Sequence, residues 1–327
     1  MDCVSFVSIR AIFQGFHTPT VNAIIPSMVP RDKLTRINGI NFLFTGVVQM
    51  FASFVASILW LFLPINIILW IDIITFFIAL VPLILISIPT VNHINHVENE
   101  NEVVEKRSFI KEFKLGLKII KLIPGLVIMI ILSMLLNFLI RPLDTLMPLY
   151  INVNHGGTAG HLALTMIIFQ GGLIAGAIVA SVKKEWNNKI RVIFISIIIA
   201  LVGYLIFAIA PKRSYLILGI GGVILGFNLP IINALYQTFL QTTVPPDKIG
   251  RVSSIDSTFS SAISPIGALL SGPLAVLNGI QSLLFYCALI GIIYTVIIWC
   301  FTGIRKVDID SESNLEKINI EINNLEI

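Results

Sequence analysis

The chain has 327 residues, of which 56% are hydrophobic and only 12% charged, and its mean hydropathy is +0.92. A water-soluble globule does not carry that much apolar surface, so the unit to count is the membrane span and not the soluble domain. The formal net charge is +4, but Lys and Arg fall in short clusters between apolar runs and form no basic stripe of the kind that holds nucleic acid.

In chain order, runs long enough to cross ~30 Å of hydrocarbon are predicted at 1–25, 38–63, 66–89, 123–151, 160–181, 190–210, 214–241, 253–277 and 280–302. The first begins at Met1 with no basic leader or small-residue cleavage site, and it contains Arg10, Gln14 and His17. It reads as a helix entered partway along a longer protein and not as a signal peptide. Arg31, Lys33 and Arg36 follow the first span, Lys106 to Lys121 the third, Lys183 to Arg191 the fifth, Lys248 and Arg251 the seventh, and Arg305 and Lys306 the ninth. The alternate connections hold only Lys212 and Arg213, so the positive-inside bias places the basic connections and the carboxyl terminus in the cytoplasm. Trp60, Trp70 and Trp299 stand at span ends, where indoles favour the headgroup boundary.

The long polar stretch between the third and fourth spans opens with the acidic, Asn-rich segment 96–102, a mobile linker by composition. Phe109, Phe113, Leu117 and Ile120 then share one helical face, and Lys111, Lys114, Lys118 and Lys121 another. That pattern is an amphipathic helix, either lying on the inner leaflet or acting as a solvated connector. Cys3, Cys287 and Cys300 lie in apolar runs and read as packing residues without a disulfide framework.

An internal repeat organises the chain. Gly15, Phe16, Pro19, Asn22 and Ala23 recur as Gly226, Phe227, Pro230, Asn233 and Ala234 at an offset of 211, and the loop 29–36 recurs as 244–251 at an offset of 215. The repeat relates the first span to the seventh, six crossings later, and an even number of crossings preserves direction through the membrane. Two parallel six-span units, with three spans of the first unit absent here, are expected to make a twelve-span parent.

The stretch 10–19 with Val29, Pro30, Arg31, Asp32, Lys33 and Leu34, together with Pro148, Leu149, Tyr150 and the loop Gly250, Arg251, Val252, resembles the major facilitator superfamily, and within it the macrolide-efflux-like drug exporters. Arg10 ahead of Gln14 and Gly15 is similar to the superfamily's fourth-helix motif, with a spacing one residue longer. Residues 39–59 contain Gly39 and Gly46 but no proline, where exporters of the family often carry a Gly-Pro signature. The resemblance implies an all-α polytopic membrane protein with nine of the fold's twelve helices. On that reading, residues 1–89 close the N-terminal bundle, 90–122 form a cytoplasmic linker, 123–302 are the six-helix C-terminal bundle and 303–327 a cytoplasmic tail. It also implies alternating-access, ion-coupled efflux of an amphipathic small molecule across the cell membrane, with a proton as the candidate coupling ion and a monomer at full length. The alternative is a truncated, transport-incompetent fragment, or a membrane partner that needs three further helices.

Charge at membrane depth costs ~2.5–3.5 kcal/mol on insertion scales and marks candidate sites. Arg10 and Gln14 correspond through the repeat to Gly221 and Leu225, so the fold does not require polar groups there. Arg141 and Asp144 lie three apart on one helical face and can neutralise each other. Pro142 and Pro148 interrupt the hydrogen bonding of that helix. Asn137, Gln170, Asn228, Asn233 and Gln237 are uncharged pathway candidates or interhelical ties. The resemblance implies a structural acid at Asp72, and Asp256, one to two turns beyond Arg251, reads as close enough to water to be ordinary. Asp32, Lys33 and Arg36 with Asp247, Lys248 and Arg251 either latch helices in one conformational state or anchor topology. No His pair has metal-ligand spacing and no catalytic grouping occurs, so neither metal, cofactor nor enzyme chemistry is expected.

Overall fold

The computed structural model describes residues 24–25, 28–30, 33–85, 109–183 and 186–306. Arg10, Gln14, Asp32, almost all of the first predicted span, the acidic segment 96–102 and the tail from Val307 lie outside the described residues. Within them the structure is helical: α1 (Leu34–Phe62), α2 (Ile65–Leu85), α3 (Phe109–Leu122), α4 (Leu126–Leu149), α5 (Ala159–Val182), α6 (Lys189–Ala208), α7 (Tyr215–Thr243), α8 (Ile249–Ala262), α9 (Ser264–Asn278) and α10 (Ile280–Phe301). A π turn at Tyr150–Asn154 extends α4, and a 3-10 turn at Gly303–Lys306 follows α10. Among the described residues, the stretches found to have the length and apolarity of a membrane crossing are Leu126–Asn154, Gly160–Val182, Lys189–Ala208, Tyr215–Thr243, Ile249–Asn278 and Ile280–Phe301. They match the six spans predicted after residue 122, with one refinement. The span expected at 253–277 is two helices, because Pro265 in the first turn of α9 cannot continue the hydrogen bonding of α8.

In lipid, hydrophobicity gives helices little reason to associate, so close backbone approach at small residues takes over. α7 is the hub, flanked by α5 and α6. A Cβ at Gly176 would collide with the Phe227 carbonyl, and one at Gly221 would stand 2.6 Å from the Phe207 nitrogen. The aromatic residues Tyr150, Phe194, Tyr204, Phe207 and Phe239 fill the remaining interior and are fully buried. Tyr150 Oη donates to the Ala208 carbonyl at 3.0 Å, and Tyr204 Oη to the Leu139 carbonyl at 3.3 Å.

Proline opens α4 as its composition predicts. Pro142 leaves the Phe138 carbonyl without its intrahelical donor. Gly267 of α9 sits so close that a Cβ there would stand 2.9 Å from that oxygen. The gap in the hydrogen-bond ladder is thus where α9 leans on α4, and only glycine fits.

α3 buries a strip made of Gly116, Ile119 and Ile120 and keeps Lys114, Lys118 and Lys121 exposed. Gly116 faces Ile255 and the aliphatic stem of Arg251 on α8. Its most buried strip therefore rests on protein, while Phe113 is exposed.

Where both copies of the repeated loop are described, they match. The Lys33 amide donates to the Pro30 carbonyl at 3.0 Å, and the Lys248 amide to the Pro245 carbonyl at 3.0 Å. Lys33 and Lys248 then cap α1 and α8 with nearly the same backbone angles, φ −100° and −113°, ψ −5° and −11°. Leu34 and Ile249 are both buried as the first helical residues.

Candidate functional site

At the end of the molecule where these two turns lie, hereafter the basic end, α1 docks on α5 and α7. Asn38, buried in the second turn of α1, donates from Nδ2 to Gln241 Oε1 at 2.8 Å and to Thr238 Oγ1 at 3.3 Å on α7. Thr238 passes its own proton to the Ala234 carbonyl at 2.7 Å, leaving its oxygen to accept. One residue on, Gly39 lies flat on α5, where a Cβ would be 2.6 Å from the Ala180 carbonyl carbon and from the Ser181 nitrogen. The seam combines a polar knot with a backbone contact, and neither Asn38, Thr238 nor Gln241 stood among the sequence-predicted site residues. Their signal was faint: amides and hydroxyls at span ends, which ordinarily face water.

Gln241 continues a stripe along α7. Positions 233, 237 and 241 fall four apart, so Asn233, Gln237 and Gln241 share one helical face. Asn233 is exposed, Gln237 is half-buried with Oε1 lacking a hydrogen-bond partner, and Gln241 is buried with Nε2 in the same condition. Unmet amide groups in a low-dielectric surrounding are costly to leave and ready to bind. This stripe of amides on α7 ends in the knot with Asn38 of α1.

The other sequence-predicted residues are placed as follows. Asn228 is buried and satisfied within its own helix, donating to the Ile224 carbonyl at 2.8 Å. Asn137 is half-buried and donates to the Ser133 carbonyl at 2.9 Å. Gln170 is half-buried on α5. Arg141 and Asp144 pair at 3.4 Å with both side chains roughly half exposed, 42% and 57%. Lys33 and Arg36 are exposed. Lys248 Nζ lies 3.9 Å from Asp247 Oδ2 with the lysine side chain buried, and the stem of Arg251 packs under α3. Arg141 with Asp144 and Lys248 with Asp247 are brought together; the amides are not bonded to one another.

Asp256 departs from expectation. It is buried at 6% exposure and accepts the Tyr236 hydroxyl at 2.5 Å and the Ser260 hydroxyl at 3.4 Å, both on Oδ1. The helix start at Ile249 is turned inward and α3 covers that side, so counting turns from Arg251 misjudged its depth.

At the opposite end, His155 follows the π turn and is buried, packed edge-on against Tyr150 with ring centres 4.8 Å apart. Burial lowers its pKa from the ordinary 6.5, and a hydrogen bond to the Pro211 carbonyl partly opposes that. Among the described residues no group of three His, Cys, Asp or Glu is arranged to hold a metal ion.

The sequence matches the family model described as Major Facilitator Superfamily over residues 4–268 and 188–324. It is 25% identical over 301 residues to macrolide efflux protein A of Streptococcus pyogenes, covering 92% of this chain and 73% of that protein. To macrolide efflux protein A of Enterococcus faecalis it is 26% identical over 259 residues, 79% of this chain and 78% of that protein. To the multidrug efflux pump Tap of Mycolicibacterium fortuitum it is 25% identical over 198 residues, 60% of this chain and 47% of that protein.

Proposed function

The chain belongs to the major facilitator superfamily, a family of multi-pass membrane transporters and not of enzymes, and we propose that it exports an amphipathic, macrolide-like small molecule by ion-coupled alternating access. The observation that carries this reading is the seam at the basic end. Asn38 and Gly39 pin the first turns of α1 to α5 and α7 by two hydrogen bonds and one backbone contact, within a wider packing of α1 on both helices, and the polar ties are ones a rocking motion can exchange for water. The matching turns at Lys33 and Lys248 support two parallel units hinged alike. Efflux relatives named for macrolides support the cargo class.

In this reading the basic end is cytoplasmic, with the carboxyl terminus on that side, and the protein sits in the cell membrane. Asn233, Gln237 and Gln241 supply hydrogen-bonding groups to the cargo, and opening the basic end frees Gln241 from Asn38. Asn137, Arg141, Asp144, Gln170 and Asn228 stand as further wall or bracing residues. The test is transport of radiolabelled erythromycin in proteoliposomes. Counterflow and accumulation under an imposed pH or sodium gradient are expected, and Gln237→Ala should weaken erythromycin uptake several-fold. Absence of flux for erythromycin and for other amphipathic compounds under every gradient overturns the reading.

A further inference from the structure

We infer that Asp256 is a protonation site of the transport cycle, holding its proton while the basic end is shut, as it is here, and releasing it to water when that end opens. The inference rests on the ion-coupled reading above and names the ion and the group that carries it.

The argument begins with depth. Asp256 is the eighth residue of α8, which at 1.5 Å per residue puts it ~10 Å along the helix from its start. It is 6% exposed. A buried carboxylate without a counter-ion is costly, and the cheaper condition is the neutral acid. No salt bridge is formed by Asp256 among the described residues.

The surroundings are accounted for element by element. α7 presents Tyr236, whose hydroxyl donates to Oδ1. α4 presents Ser133, a further hydrogen-bonding neighbour of that phenol, while its charged pair Arg141 and Asp144 lies two turns or more along the helix. α9 carries no titratable side chain. Of the charged α3 side chains that the structure describes, Lys114, Lys118 and Lys121 are all exposed. On α8 itself Arg251 packs its stem beneath Gly116, the buried Lys248 at the cap, two turns back, has its Nζ 3.9 Å from Asp247 Oδ2, and Ser260 donates to Oδ1. Two hydroxyl donors converge on one oxygen, and Oδ2 is the atom to carry the proton.

The repeat shows that the acid is not a requirement of the fold. Carried eight residues into the helix at the loop's offset of 215, position 256 corresponds to Asn41 on α1, an uncharged residue of the same shape, and Asn41 is exposed. The helix start works with an amide there, so burial of an acid in the second copy alone needs another reason.

Tyr236 links the acid to the seam. It stands two residues before Thr238 and five before Gln241, the partners of Asn38 on the same helix. Opening the basic end displaces this end of α7 and lets water reach Asp256. The Oδ2–H bond then breaks, the proton passes to water and the carboxylate remains. Recapture of a proton on Oδ2 restores the acid and allows closure.

The test uses the 327-residue chain and its D256N variant. In detergent, infrared pH titration of the wild type should show a protonated-carboxyl C=O band that D256N lacks. Y236F, which keeps the carboxyl, should retain that band and change the pH at which it disappears. In proteoliposomes the ratio of erythromycin flux with an imposed pH gradient to flux without should be several-fold for wild type and one for D256N. A D256N ratio equal to that of wild type, or a carboxyl band unaffected by D256N, overturns the inference. If wild type moves no erythromycin under any gradient, the transport reading fails by itself, and the infrared comparison still decides whether Asp256 binds the proton. If D256N does not fold, the band shift in Y236F decides in its place, its absence counting against the site.

Discussion

The interior of the bundle built by α4 to α10 and the seam between that bundle and α1 are both close-packed, yet by different means. Inside, α5, α6 and α7 meet through glycine and backbone, with Gly176 against Phe227 and Gly221 against Phe207 and no side-chain hydrogen bond between the paired helices at those points. At the seam one glycine contact is joined by a polar knot, Asn38 with Thr238 and Gln241, confined to the first turns of α1. Farther along, α1 exposes Phe44, Val48 and Phe51, and α2 exposes Trp70, Phe76, Phe77 and Ile78. The first arrangement holds one shape, because dispersion contacts at backbone distance are lost steeply on separation. The second adds to its packing hydrogen bonds that can be exchanged, because amides that part company find water.

This contrast can be broken from either side. The largest effect is expected from Gly176→Val, which drives a branched side chain into the Phe227 carbonyl. It should destabilise by about 3 kcal/mol or more, read as a large fall in thermal midpoint and loss of monodisperse protein in detergent. A normal midpoint would show that α5 and α7 can slide apart freely. Gly39→Val should instead leave the bundle folded and unseat α1. Its thermal midpoint should fall little, while Ser181→Cys, silent to an aqueous maleimide in the parent background, becomes labelled. Unchanged labelling would mean that the seam does not gate water.

A smaller effect is expected from Asn38→Ala paired with Gln241→Ala. The double-mutant cycle should return a coupling of about 0.6–1.7 kcal/mol, the range for interhelical hydrogen bonds in membranes. A coupling of zero would remove the knot from the account. The smallest effect is at the far end. Burial lowers the pKa of His155, so the folded state binds its proton less readily than the unfolded chain. That contribution to stability is complete above pH ~6.5 and declines as the pH drops below it. Thermal midpoints at pH 7.5 and 5.5 should differ in the parent and differ less in His155→Gln, and an unaltered pH dependence would exclude His155 as its source.

Much of this was legible in the residues. Apolar run length marked the six spans after residue 122 to within a few residues. The repeat foretold that two loops would fold alike, as the turns at Lys33 and Lys248 do. The pairing of Arg141 with Asp144 followed from helical spacing alone. What stayed hidden depends on partners distant in sequence. Asn38 meets Gln241 across 203 positions, and nothing local distinguishes it from any polar residue at a span end. Asp256 was misjudged for the same reason: its depth is set by α3 and α7, not by its distance from Arg251.

The sequence by itself determined a helical, membrane-crossing, internally repeated chain, because hydrocarbon thickness and backbone hydrogen bonding leave one solution for such apolar runs. Which polar groups are buried, and against what, only the tertiary structure decided. Burial is a property of the neighbours a side chain acquires when helices from far parts of the chain pack together.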